Sequence, residues 1–108
     1  MFKNVIVKKP CSSIIDGISS ADLGRPNFKL AMKQHEAYIE TLKKCGVEVT
    51  VLEADEKYPD SCFIEDVALL TKKCAIITRP GALSRRGEIV GLRETLEKFY
   101  EKDRKSVV

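Results

Sequence analysis

Five charged residues offer this 108-residue chain its most distinctive chemistry: Asp60, Glu65 and Asp66 within DSCFIEDVALL, and Arg85-Arg86 within RPGALSRRGE. The acids lie among Cys62, Phe63, Ile64, Val67, Ala68, Leu69 and Leu70, where an unpaired carboxylate costs several kcal/mol or is forced to protonate. A guanidinium is the natural partner, because its planar fork meets a carboxylate through two parallel hydrogen bonds. That partner is either internal, with Arg79 or Arg86 as candidates, or a cationic ligand. Arg85 follows Ser84, a good helix N-cap, so the spacing predicts Arg85 at the first position of a helix. There a guanidinium and free backbone N–H groups together bind anions; the plainer alternative is a solvated first turn. Acids on a strand and an arginine at a helix start suit one kind of guest, a small amino acid with a cationic side chain.

The other candidates are weaker. His35, the single histidine, falls on the apolar stripe of a helix, where a hydrogen-bonded core residue is the simpler reading. Cys11, Cys45, Cys62 and Cys74 form no CxxC or CxH pair, so neither zinc nor any other metal is expected, and no cofactor either. Cys62 lies near the acids, but neighbouring carboxylates raise a thiol pKa and disfavour a nucleophile.

The elements that must position these groups follow from periodicity. Phe2–Val7 and Val47–Leu52 read as strands. Residues 27–45 read as a helix, with Asn27 as cap, Ala31, His35, Tyr38, Leu42 and Cys45 as one face, and Gly46 as stop. Ile64–Leu70 and Ala75–Thr78 read as a hairpin whose first strand is covered on both faces. Ile89, Leu92, Leu96 and Phe99 form the stripe of a second helix, and Ser106-Val107-Val108 resembles the opening of a further strand. The chain also repeats itself: VIVKKPCSS matches IITRPGALS, and ETLKK matches ETLEK. The first copy carries a long insertion over residues 11–26, of the kind that closes over ligands.

Charged residues make up 32% of the chain and the net charge is +3. That describes a globular protein, whose alternating strands and helices make it α/β, and the excess is too small to argue for nucleic acid. No stretch has the length of a membrane span and the start has no signal-peptide character, so the expectation is a single cytoplasmic domain.

QHEAY, GVEVTVLEADEKYPDSCFIEDVALL and AIITRPGALSRRGE together resemble the dimethylarginine dimethylaminohydrolase family, of the guanidino-group-modifying or amidinotransferase superfamily, from about Lys3 to Phe99. The resemblance implies a pentein fold, with about two of its five ββαβ-type units present, so that residues 1–108 form the N-terminal part of an amidine hydrolase. It implies a methylated arginine as substrate. A cysteine attacks the guanidinium carbon, a histidine acts as general acid and base, the alkylamine leaves, and water releases citrulline. Carried over by position, Asp66 holds the guanidinium, Glu65 and Asp60 line the site, Arg85 meets the substrate carboxylate, and Ile18 occupies the lid loop. None of the cysteines, nor His35, matches a catalytic position, so the isolated chain is expected to be inactive. It is read as a truncated enzyme; the alternatives are half of a split enzyme, completed by a C-terminal chain, a non-catalytic binder of arginine derivatives, or an unrelated α/β domain whose charges are structural. Self-association is also expected.

Overall fold

The computed structural model describes residues 2–19 and 23–100, and these group into two compact units that divide between Cys62 and Phe63. In the first unit, strand β1 (Asn4–Lys8) leads through a 3-10 turn at Ser12–Asp16 to helix α1 (Phe28–Lys44) and strand β2 (Glu48–Leu52). β1 and β2 pair in parallel, Val5 against Val49 and Val7 against Val51. A parallel pair needs a crossover, and α1 supplies it. Asn27 caps α1 by accepting the Leu30 N–H at 3.0 Å. Gly46 takes φ +85° just beyond the helix, a left-handed conformation that costs glycine little and lets its N–H reach the Lys43 carbonyl at 3.0 Å.

The inward face of α1 differs in part from the sequence expectation. Ala31, His35 and Leu42 are half-buried, together with Phe28, Met32 and Ile39, whereas Tyr38 and Cys45 are exposed. The apolar arc is therefore rotated toward Ile39, since 3.6-residue periodicity also brings the 32–35–39–42 positions to one face.

In the second unit, β3 (Ala68–Leu70) and β4 (Ala75–Ile77) form an antiparallel hairpin, followed by a 3-10 turn at Leu83–Glu88 and helix α2 (Ile89–Glu97). α2 packs on β4. Val67, Ala75, Ile77, Leu92 and Leu96 are its buried apolar residues, and the Tyr100 hydroxyl donates to the Thr71 carbonyl at 2.7 Å, tying the end of α2 to the hairpin turn. The internal repeat has a structural counterpart, because strand, 3-10 turn and helix follow in that order in both units.

Three expectations fail here. Ile64–Asp66 is a 3-10 turn, not the start of a strand: the Asp66 and Val67 amides donate to the Phe63 and Ile64 carbonyls, both at 3.2 Å. This turn delivers Val67 to the core at 1% exposure. Ser84 does not cap a helix either. The 3-10 turn that contains it has Ala82 in the cap position, with no side-chain cap bond, and α2 starts only at Ile89. Phe99, expected on the helix stripe, is 39% exposed. The expected strand at Ser106 lies outside the described residues.

Candidate functional site

Two polar clusters hold four of the five candidate residues, one in each unit. In the first unit Asp60 is buried, and its carboxylate accepts the Ile18 amide at 2.9 Å. Gly17 makes that approach feasible: a Cβ there would stand 2.5 Å from Asp60 Oδ1 and 3.2 Å from the Ile14 carbonyl oxygen. The Ile18 side chain itself is 64% exposed. A second acid grips the other end of the same turn. Glu56 accepts from the Ser12 amide at 3.0 Å, the Ser13 amide at 3.2 Å and the Ser12 hydroxyl, while its own carbonyl accepts from the Ser13 hydroxyl at 2.9 Å. The Ser12 hydroxyl and amide hold the Glu56 carboxyl below the usual glutamate range. Residues 12–18 are thus fixed by one carboxylate at each end.

In the second unit the acids are not where burial arguments put them. Glu65 and Asp66 sit on the exposed 3-10 turn, and the Asp66 side chain is 54% accessible. Asp66 has an internal partner, but it is Arg85 rather than Arg79 or Arg86: Arg85 Nη1 donates to Asp66 Oδ2 at 2.8 Å. The Arg86 Nε instead donates to the Pro80 carbonyl at 2.9 Å.

Arg85 belongs to the 3-10 turn and not to the first turn of α2. Its Nε and Nη2 donate to Glu88 Oε2 and Oε1, both at 2.9 Å, and Nη2 also reaches the Phe63 carbonyl at 3.3 Å. The hydrogen bonds to Glu88, followed by those to Asp66, raise the Arg85 pKa despite its partial burial. Glu88 itself went unrecognised in the sequence. Its only signal was the Arg85-x-x-Glu88 spacing, the i,i+3 separation at which side chains on one helical face meet.

Of the remaining candidates, His35 and Cys11 are held by packing contacts. His35 packs beside Tyr38, with ring centroids 6.5 Å apart, and burial lowers its pKa. Cys11 is buried, and its thiol lies 3.0 Å from the Ser13 hydroxyl. Among the described residues no cluster of His, Cys, Asp and Glu could hold a metal, and no helix is long and apolar enough to cross a membrane.

An exposed acid is thus paired to a half-buried arginine across the two 3-10 turns that flank the hairpin. The family model "N,N dimethylarginine dimethylhydrolase, eukaryotic" matches residues 21–108, and the chain belongs to that family. It is 51% identical over 100 residues to the N(G),N(G)-dimethylarginine dimethylaminohydrolase of Pseudomonas aeruginosa, covering 93% of this chain and 39% of that protein. Against the Streptomyces coelicolor enzyme of the same name it is 33% identical over 98 residues, covering 90% of this chain and 38% of the relative.

The fold agrees with this assignment. A cysteine-to-serine mutant of the Pseudomonas aeruginosa enzyme complexed with citrulline superposes with a TM-score of 0.93 at 48% identity, over 98% of this chain and 41% of that one. A dimethylarginine dimethylaminohydrolase adduct with S-methyl-L-thiocitrulline gives a TM-score of 0.97 at 47% identity, over all of this chain and 42% of that one. The fold class is α/β, part of a pentein. The chain spans about two-fifths of the length of the relatives it matches.

Proposed function

We propose that this chain is the N-terminal part of a dimethylarginine hydrolase, in which Asp66 and Arg85 contribute to binding a methylated arginine. The carrying observation is the Asp66–Arg85–Glu88 cluster, which presents an accessible carboxylate and a charged guanidinium side by side from two neighbouring 3-10 turns. The carboxylate suits the substrate's guanidinium and Arg85 suits its α-carboxylate, with Glu65 beside Asp66 on the same turn. To take a guest cation, Asp66 must share or exchange the Arg85 guanidinium it already holds. Asp60 and Ile18 are carried as substrate-binding residues by the family resemblance alone; within the first unit the Asp60 carboxylate fixes the backbone that carries Ile18. The cysteine that attacks the guanidinium carbon and the histidine that handles its protons lie outside these 108 residues, and the working compartment is the cytoplasm.

The test is complementation. The chain is joined to the remaining length of the Pseudomonas aeruginosa relative, and citrulline release from dimethylarginine is measured for the fusion and for the chain alone. Turnover is expected only in the fusion. A folded fusion that is silent, or a chain that turns over substrate by itself, rejects the proposal.

A further inference from the structure

We infer that Glu88 is a positioning residue that holds the Arg85 guanidinium in place so that Asp66 can release it; the functional half of this rests on the substrate role proposed above for Arg85. The two acids that meet Arg85 are unlike each other. Glu88 is 3% accessible in its side chain and grips Nε and Nη2 with both oxygens, a fork-to-fork pair. Asp66 is 54% accessible and bonds Nη1 with one oxygen. A two-point contact fixes the plane and position of a guanidinium, whereas a one-point contact leaves it to pivot. The solvated Asp66 carboxylate exchanges partners readily because water compensates the lost bond; the buried Glu88 carboxylate does not. Without Glu88 the arginine would swing onto Asp66. The carboxylate meant for a guest cation would then be occupied, and the guanidinium meant for a guest anion neutralised.

Two readouts test this. In the 108-residue chain, modification of each arginine by phenylglyoxal is followed by peptide mass spectrometry. Arg85 should be protected relative to the exposed Arg25, and Glu88→Gln should accelerate its modification by about tenfold or more, the scale of losing a charge-assisted hydrogen bond. Glu88→Asp should retain most of the protection and Asp66→Asn should change it less than Glu88→Gln does. Equal Arg85 rates in wild type and Glu88→Gln overturn the inference, as does a rise shared equally by Arg79 and Arg86, which reports general loosening, or a larger effect from Asp66→Asn.

In the fusion protein, Glu88→Gln should raise KM for dimethylarginine several-fold more than for its decarboxylated analogue, as Arg85→Lys should. Selectivity lost in Arg85→Lys but kept in Glu88→Gln also overturns the inference. If neither variant alters selectivity, the carboxylate role of Arg85 falls instead, and the grip of Glu88 is decided by the protection ratio alone.

Discussion

At the scale of single residues, Arg85 has two functions that mutagenesis must separate. It completes a buried ion pair with Glu88, and it is the proposed anion site. Removing one member of a buried pair strands the other charge, at a cost of about 3–5 kcal/mol, whereas an exposed pair is worth about 0–1 kcal/mol. Arg85→Ala should therefore lower the urea midpoint of the chain severely. Arg25→Ala should leave it nearly unchanged, since Arg25 meets Asp16 at 3.6 Å with both side chains mostly solvated. Similar midpoints for the two variants would contradict the burial argument. Asp66→Asn makes the complementary case. Asp66 is accessible, so its loss should spare stability but lower kcat/KM of the fusion about 10–150-fold, the equivalent of about 1.5–3 kcal/mol for a charge-assisted hydrogen bond. A fully active Asp66→Asn fusion would assign Asp66 a structural role only.

At the scale of elements, the Ser12–Asp16 turn is held by carboxylates rather than by a core, and this makes it sensitive to both sterics and pH. Gly17→Ala would press a methyl group against Asp60 Oδ1 and the Ile14 carbonyl. Asp60 is short and buried, so it must move and give up the Ile18 amide; the expected cost is about 1–3 kcal/mol, with faster hydrogen exchange at Ile18. Unchanged exchange there would mean that the turn absorbs the methyl elsewhere. Glu56 has a lowered pKa because of its Ser12 bonds, so the stability it contributes is complete above the unfolded value of about 4.3 and is lost as pH falls through the lower folded value. Ser12 and Ser13 amide NMR shifts should titrate with a midpoint below that of an unfolded glutamate, and Glu56→Gln should flatten the curve; a midpoint at or above the unfolded one removes the clamp. Long periodic elements were legible in the sequence: α1, both strands of the first unit and the hairpin all stand within a few residues of their expected positions. The short 3-10 turns were not, because three to six residues carry no period to read, and FIED has the composition of a strand. That error also misplaced Glu65 and Asp66 in an apolar setting when they are exposed. The candidate site was legible as residue types, while its geometry, above all the Arg85–Glu88 pair, depended on a turn that hydrophobic patterning does not encode.

At the scale of the whole molecule, each unit is built, among the described residues, on a sheet of two strands. Such sheets are marginal in water unless a further strand or helix covers them. Both strands of each pair have an edge without a strand neighbour among the described residues, and unpaired edges recruit other chains. Apolar side chains add to this: in the second unit Leu69 is 59% exposed, Leu83 75% and Val90 72%, and in the first Phe2 is 65% exposed. The relatives are more than twice as long, and under the function proposed above their additional length would cover such surfaces. The chain expressed by itself should therefore self-associate at micromolar concentration or be marginally stable as a monomer, and joining it to the remaining length of the relative should suppress both. Sedimentation equilibrium, combined with thermal melts over a range of concentrations, measures the two effects together. A compact monomer whose sharp melt lies above about 60 °C and does not shift with concentration, beyond most of the mesophile range, would show that two short sheets with their helices are sufficient and that the exposed edges carry no penalty.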